Sequence, residues 1–168
     1  MAVGTLISVD EYLQTSYRPD RDYVDGVLIE RNMGERSHGR LATRIGVWLY
    51  AHEAKWNAEA LTETRLHINS SRFRIPDLMV LSKEAPREEI VRTPPLLCIE
   101  ILSKGDTLES IWDRIDDYFS IGVPVCWVID PVRGRGWTAA PRVLTEVPDG
   151  ILRAGQIEMP LDAVLEPR

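Results

Sequence analysis

The order of polar and apolar positions divides the chain into short, distinct elements. Ser8-Val9-Asp10-Glu11 has the form of a capping box and predicts a short helix to about Thr15. Tyr23-Val24-Asp25-Gly26-Val27-Leu28-Ile29-Glu30 predicts a hairpin turning at Asp25-Gly26, a pair suited to positive φ. From His38 the period becomes helical. His38, Leu41, Ala42, Ile45, Trp48, Leu49, His52 and Trp56 fall on one stripe, the mark of a long helix laid on a core.

Alternation by two follows. Ala60 to Ile68 predicts a strand with Leu61, Glu63, Arg65 and His67 on one face, so that Glu63 makes a cross-strand pair there. After a turn at Asn69-Ser70-Ser71, Phe73 to Leu81 predicts a second strand, with Asp77 on the face of Phe73, Ile75, Met79 and Leu81. Lys83 to Pro95 is polar and proline-punctuated, a loop with room for one helical turn. Leu96 to Leu102 is the most apolar run, broken only by Glu100, and predicts a central strand.

A second helix is expected from about Thr107 to Ser120, with Asp106 as N-cap, Glu109 completing the box and Gly122 ending it. Its stripe is Leu108, Ile111, Trp112, Ile115, Tyr118 and Phe119. Val125 to Asp130 predicts a last core strand. A hairpin turning at Pro148-Asp149-Gly150 and a final capped turn around Leu161 to Leu165 complete the chain. The fold class is α/β with a mixed sheet, and all 168 residues form a single domain with its core at about 34–131.

Composition narrows the function classes. With 44% hydrophobic and 27% charged residues the chain can bury a real core. Its apolar runs are strand-sized and no basic leader opens it, so neither a membrane span nor a secretory signal is expected. Cys98 and Cys126 fall in apolar runs and read as buried thiols of a cytoplasmic protein. A net charge of −6 leaves no global basic field, so any DNA contact needs a local patch. Arg31, Arg36 and Arg40 with Arg65, Arg72 and Arg74 are the candidates to rim a cleft and hold phosphates; ordinary surface solubility, with acidic residues interspersed, accounts for them slightly better.

Two carboxylates stand out. Asp77 in Arg74-Ile75-Pro76-Asp77-Leu78 and Glu100 in Cys98-Ile99-Glu100-Ile101 lie within apolar, β-prone runs. Burying such an acid is costly unless it is paired, protonated or bound to a metal. Two of them aimed at one spot make an oxygen-rich site suited to Mg²⁺ or Mn²⁺. The alternative is that each merely tops its strand and pairs with an arginine.

The order helix, strand, strand, strand, helix, strand, taken with these residues, resembles the PD-(D/E)xK nuclease superfamily. Within it the chain is similar to the Uma-two family, a restriction-endonuclease-like group and former domain of unknown function. The pieces that carry the resemblance are Glu11-Tyr12-Leu13, Tyr23-Val24-Asp25-Gly26, His38, Arg74-Ile75-Pro76-Asp77, Ile99-Glu100-Ile101-Leu102-Ser103, Asp117-Tyr118, Gly122-Val123 and Trp127-Val128-Ile129-Asp130-Pro131. It implies an αβββαβ core of restriction-endonuclease-like fold with an N-terminal helix and hairpin and a C-terminal hairpin. The implied activity is metal-dependent endonucleolytic hydrolysis of DNA, in preference to RNA, with Mg²⁺ or Mn²⁺ as cofactor.

By the same resemblance Asp77 is a metal-ligand aspartate and Glu100 the acid of the second motif. The superfamily's lysine would fall at position 102, which is Leu102 here. Lys104, just beyond the strand, and Arg114, at the helix position where members carry a relocated lysine, are the substitutes. Arginine can clamp a phosphate but cannot act as a base. His38 matches the family histidine and would support a metal-bound carboxylate or pass a proton, unless it is simply a helix-start residue. The superfamily's extra helix-region acid would be Glu30 or Glu35, with Glu35 preferred as a third metal ligand because it is nearer the helix. Leu102 also admits a reading from another class: a catalytically inactive nuclease fold serving as an interaction or DNA-holding module. A homodimer, through Trp137 and the C-terminal hairpin, goes with that reading.

Overall fold

The computed structural model describes residues 6–32 and 34–166. In chain order the elements are α1 (Val9–Gln14), β1 (Asp22–Val24), β2 (Val27–Ile29), α2 (Arg36–Trp56), β3 (Ala58–Thr62), β4 (Leu66–Asn69), β5 (Arg72–Arg74) and β6 (Leu78–Ser82). They continue with β7 (Leu97–Ile101), α3 (Leu108–Ser120), β8 (Cys126–Asp130), β9 (Arg135–Ala140), β10 (Val143–Glu146), β11 (Ile151–Ala154), β12 (Ile157–Pro160) and α4 (Leu161–Val164).

The main sheet has the order β10-β9-β8-β7-β6-β3, antiparallel except for the β7–β8 pair, which α3 connects. The expected α/β order is therefore present as α2, β3, β6, β7, α3, β8. Alternation assigns its two faces. Leu78, Val80, Leu97, Ile99, Ile101 and Trp127 pack with Leu41, Ile45 and Leu49 of α2. Met79, Leu81, Cys98 and Val128 pack with Ile111, Ile115 and Tyr118 of α3. The α2 stripe reads as expected, and the buried, free thiols of Cys98 and Cys126 are register partners. Among the described residues no helix is long and apolar enough to cross a membrane.

A smaller sheet, β2-β1-β5-β4, stands beside the main one over a third cluster of Tyr12, Tyr23 and Phe73. It changes two expectations. Ala60 to Ile68 is not one strand: Glu63 takes φ 47°, the chain bends, and β3 and β4 end up in different sheets. Phe73 to Leu81 is likewise broken at Ile75-Pro76-Asp77, where proline lacks an N–H for the ladder and restricts the residue before it. Phe73 and Met79 consequently lie in different clusters, and Asp77 occupies the kink between sheets instead of a continuous face.

Other details differ too. Thr107, not Asp106, caps α3, and Ser110 completes the box, because the Asp106 carboxylate is already engaged by the Ser103 amide and Arg114. Leu108 is exposed at the first turn of α3. The C-terminal region contains β9–β10 and β11–β12 hairpins instead of one hairpin, with Asp149-Gly150 in the link between them. Trp137 is half-buried, under the Arg135 guanidinium. Glu63 forms no pair with Arg65, whose fork holds Asp20 at 2.7 Å.

Candidate active site

Asp77 reaches from the kink after Pro76 toward both α2 and β7. Its Oδ2 accepts the Ile101 amide at 2.8 Å and lies 3.2 Å from His38 Nε2 in the first turn of α2. Its Oδ1 accepts Arg31 Nη2 at 2.5 Å. Burial opposes the charge, but His38, Arg31 and the amide outweigh it, holding the carboxyl below the usual range. For His38, burial disfavours the imidazolium, yet the Asp77 hydrogen bond and charge prevail and the pKa rises.

Glu100 is on the other face of β7. Tyr118 Oη donates to its Oε1 at 2.6 Å. Arg114 Nε lies 3.1 Å from Oε2, while Arg114 Nη2 holds Asp106 Oδ1 at 3.1 Å. The Nε–H is nevertheless buried without a hydrogen-bond partner, so the contact with Glu100 is one of charge and not of alignment. Burial pushes the Glu100 carboxyl up to about 7; Arg114 pulls it down, and the Asp77 charge adds to the rise. The two acids thus oppose each other electrostatically, and neighbouring backbone positions tie them together: Glu100 is on β7, and Asp77 is hydrogen-bonded to the next residue.

Of the residues singled out in the sequence, His38, Asp77, Glu100 and Arg114 converge. Glu35 is half-buried at the α2 N-cap position and lines a cleft of about 680 Å³ with His38, Glu63 and Asp77. Glu30 is instead a surface partner of Arg21. Lys104 is exposed in the turn after β7, with no bond to either acid, and half-buried Leu102 packs against the α3-side core. Among the described residues no group of three or more His, Cys, Asp or Glu is arranged to hold a metal.

The expected basic rim is largely consumed by pairing. Arg31 holds Asp77, and Arg65 holds Asp20. Arg74 is buried between Asp22 and Asp117, at 3.1 and 2.7 Å, and Arg72 bridges Asp117 and Asp25. Asp22 also accepts the Ile75 amide at 2.9 Å, so this second cluster fastens the small sheet to α3 and steadies the segment leading to Asp77. Arg36 and Arg40 line a different cavity of about 880 Å³, with Arg44 and Arg135, that includes neither acid of the site.

Arg31, Tyr118 and Asp106 are site residues that the sequence did not announce in these roles. Tyr118 carried a signal as part of the motif Asp117-Tyr118, where it read only as stripe. Arg31 was singled out only for a phosphate-holding rim, since a loop arginine has no period to point it at an acid.

Comparison with curated proteins gave no match. Among solved structures, the chain is similar to one described as "a putative nuclease belonging to DUF820 from Anabaena variabilis ATCC 29413", with a TM-score of 0.79 and 21% identity. The alignment covers 94% of this chain and 97% of that one, so the two share a fold from end to end. That fold and the αβββαβ order agree with the restriction-endonuclease-like architecture expected from the sequence. The model of the Uma2 (Uma-two) family, described as "Putative restriction endonuclease", matches residues 9–149, and the chain belongs to that family.

Proposed function

We propose that the protein is a Mg²⁺- or Mn²⁺-dependent endonuclease that hydrolyses phosphodiester bonds of DNA at the Asp77–Glu100 site. The observation that carries this reading is the juxtaposition of two buried acids, Asp77 lining the cleft and Glu100 on β7, with burial pushing the Glu100 carboxyl up to about 7 and the Asp77 charge adding to the rise. A perturbed acid bordering a cleft, as Asp77 does beside His38 and Glu35, is a common sign of a working site.

The donor set suits a hard cation. Glu100 Oε2 has only the unaligned Arg114 contact, and Asp77 Oδ1 has a single donor, so both retain lone pairs. Mg²⁺ is commonly held by one or two carboxylates, with water and substrate phosphate filling the remaining positions, so two acids suffice. Glu35, on the same cleft, is the candidate to add a third. When bound, the ion polarises the scissile phosphate and lowers the pKa of an attacking water.

The chain's own residues supply the rest. Asp77 is fixed by the Ile101 amide and His38, so it presents its other oxygen without further ordering. Arg114 keeps its charge at any working pH and stabilises the negative charge that develops on the phosphate, the part lysine plays elsewhere in the superfamily. His38 lines the cleft, and with Nε2 engaged by Asp77 it can release a proton from Nδ1 to a leaving oxygen. A base role falls to neither Arg114 nor the exposed Lys104.

The test is incubation of the purified protein with supercoiled plasmid and Mn²⁺ or Mg²⁺, beside Asp77→Ala and Glu100→Ala. Metal-dependent nicking lost in both variants is the expected result. A second reading, an inactive nuclease fold used as a dimeric or DNA-holding module, is favoured by apolar Leu102 and by the protein groups that already contact each carboxylate. Absence of both cleavage and metal binding would leave that reading standing.

A further inference from the structure

We propose that Arg31 is the resident counter-ion of Asp77, which a divalent metal displaces and which then becomes a clamp for the substrate phosphate. The inference rests on the metal-site reading above and adds to it a residue and an exchange.

The Asp77 carboxylate is held asymmetrically. Oδ2 is bound by a strand amide and by a helix-borne imidazole, both parts of the rigid core. Oδ1 is held, among the described residues, by Arg31 alone, through a long side chain from the segment between β2 and α2. That side chain is only 6% exposed. Beyond Asp77, the buried acids Glu100 and Asp22 also favour its charge. A cation is thus already in place where the acids converge, and it occupies the oxygen that a metal would need.

Arg31 comes from the segment between β2 and α2, which among the described residues is also tied by Ser103 Oγ to the Asn32 carbonyl at 2.9 Å and by a long 3.5 Å contact from Asn32 to Asp106. Gly34 follows at φ 101°, a backbone conformation that favours glycine. A guanidinium released from one oxyanion has the fork geometry for another, and a phosphate oxygen arrives with the substrate. Leu102 leaves β7 without a cation of its own, and the two acids are served by arginines from elsewhere, Asp77 by Arg31 and Glu100 by Arg114.

Two cations competing for one oxygen give the proposal a sign that a merely structural arginine lacks. Arg31→Gln is expected to melt at a lower temperature without metal, since it strands a buried carboxylate oxygen. It should nevertheless bind Mn²⁺ more tightly, by about tenfold, in calorimetric titration with the metal alone. Arg31→Lys, which retains a competing charge, should bind Mn²⁺ close to wild type. With Ca²⁺ in place of a catalytic ion, Arg31→Gln should bind a short DNA duplex more weakly, with a salt dependence shallower by about one ion.

Nitrogen-15 NMR of arginine side chains in the wild-type protein gives a check free of any variant. The Arg31 signal should shift and lose its protection when Mg²⁺ is added. Mn²⁺ binding by Arg31→Gln that is no tighter than wild type, or an Arg31 signal unchanged at saturating Mg²⁺, overturns the proposal. If wild type binds Mn²⁺ through Asp77 and Arg31→Gln binds no better, only the exchange fails. If neither wild type nor Arg31→Gln binds Mn²⁺, the metal reading fails with it.

Discussion

Tyr118 Oη donates to Glu100 Oε1 at 2.6 Å, joining α3 to β7 inside the core. The residue after Glu100 gives its amide to Asp77, so one hydroxyl steadies an acid whose strand also positions the second. Tyr118→Phe removes the bond and leaves a buried acceptor unsatisfied, at a cost of about 1–3 kcal/mol. Urea unfolding should show that loss. The rate–pH profile should shift upward, because the bond helps to hold the Glu100 proton affinity down.

The same carboxyl predicts a pH dependence of stability. Burial raises its pKa from an ordinary 4.5 to about 7 in the folded protein. The folded state therefore binds this proton more tightly than the unfolded state, and stability falls as pH rises through that window. The loss attributable to Glu100 is about 3 kcal/mol between pH 4.5 and 7. Asp77, held below its usual range, acts only at more acidic pH, whereas His38, raised above 6.5, loses its contribution as pH climbs further. Chemical denaturation at pH 5 and pH 8 should show a smaller pH effect in Glu100→Gln than in wild type.

Arg114 separates charge from base chemistry. Arg114→Ala leaves Glu100 and Asp106 without their cation and should cost about 3–5 kcal/mol, with loss of cleavage. Arg114→Lys keeps a positive charge and should retain measurable nicking. A lysine variant as inactive as the alanine one, with stability intact, would show that the planar fork is needed.

Mn²⁺ should raise the melting temperature of wild type, by about 2.7 kcal/mol of added stability at a hundredfold excess over its dissociation constant. Asp77→Asn should abolish that response. A persistent response in the variant would move the metal elsewhere on the chain.

Arg74→Met serves as a control on the second cluster. It breaks a buried arrangement with Asp22 and Asp117 and should destabilise by about 3–5 kcal/mol. Its Mn²⁺ affinity should stay close to wild type, because Arg74 contacts neither acid of the site. A large change in metal affinity would show that the two clusters work as one.

The sequence revealed what period alone can carry. The α2 and α3 stripes, the apolar β7 and the two acids within apolar runs follow from alternation and spacing, and they bring His38, Arg114, Asp77 and Glu100 together. The breaks were harder to see. Pro76 was visible, but Glu63 takes a left-handed backbone with nothing in its surroundings to signal it. The partners of Arg74 lie 52 and 43 residues away, a separation that no local pattern encodes. Asp106 looked like a cap because its neighbours suit one, yet tertiary contacts from Ser103 and Arg114 claimed its oxygens first.

The bend at Glu63 and the kink at Asp77 meet: the Glu63 amide donates to the Asp77 carbonyl at 3.3 Å, bringing together the two ends of the excursion that carries β4 and β5. That tract is consequently a closed bight pinned at its neck, and its neck is the rim of the cleft. Its outer turn at Asn69-Ser70-Ser71 is also tied to the β1–β2 hairpin, through the Asp25 amide donating to the Ser71 carbonyl at 2.8 Å and the Ser71 hydroxyl donating to the Asp25 carboxylate at 2.6 Å. A shift of the β4–β5 hairpin is thereby carried to both the cleft rim and the β1–β2 hairpin at once.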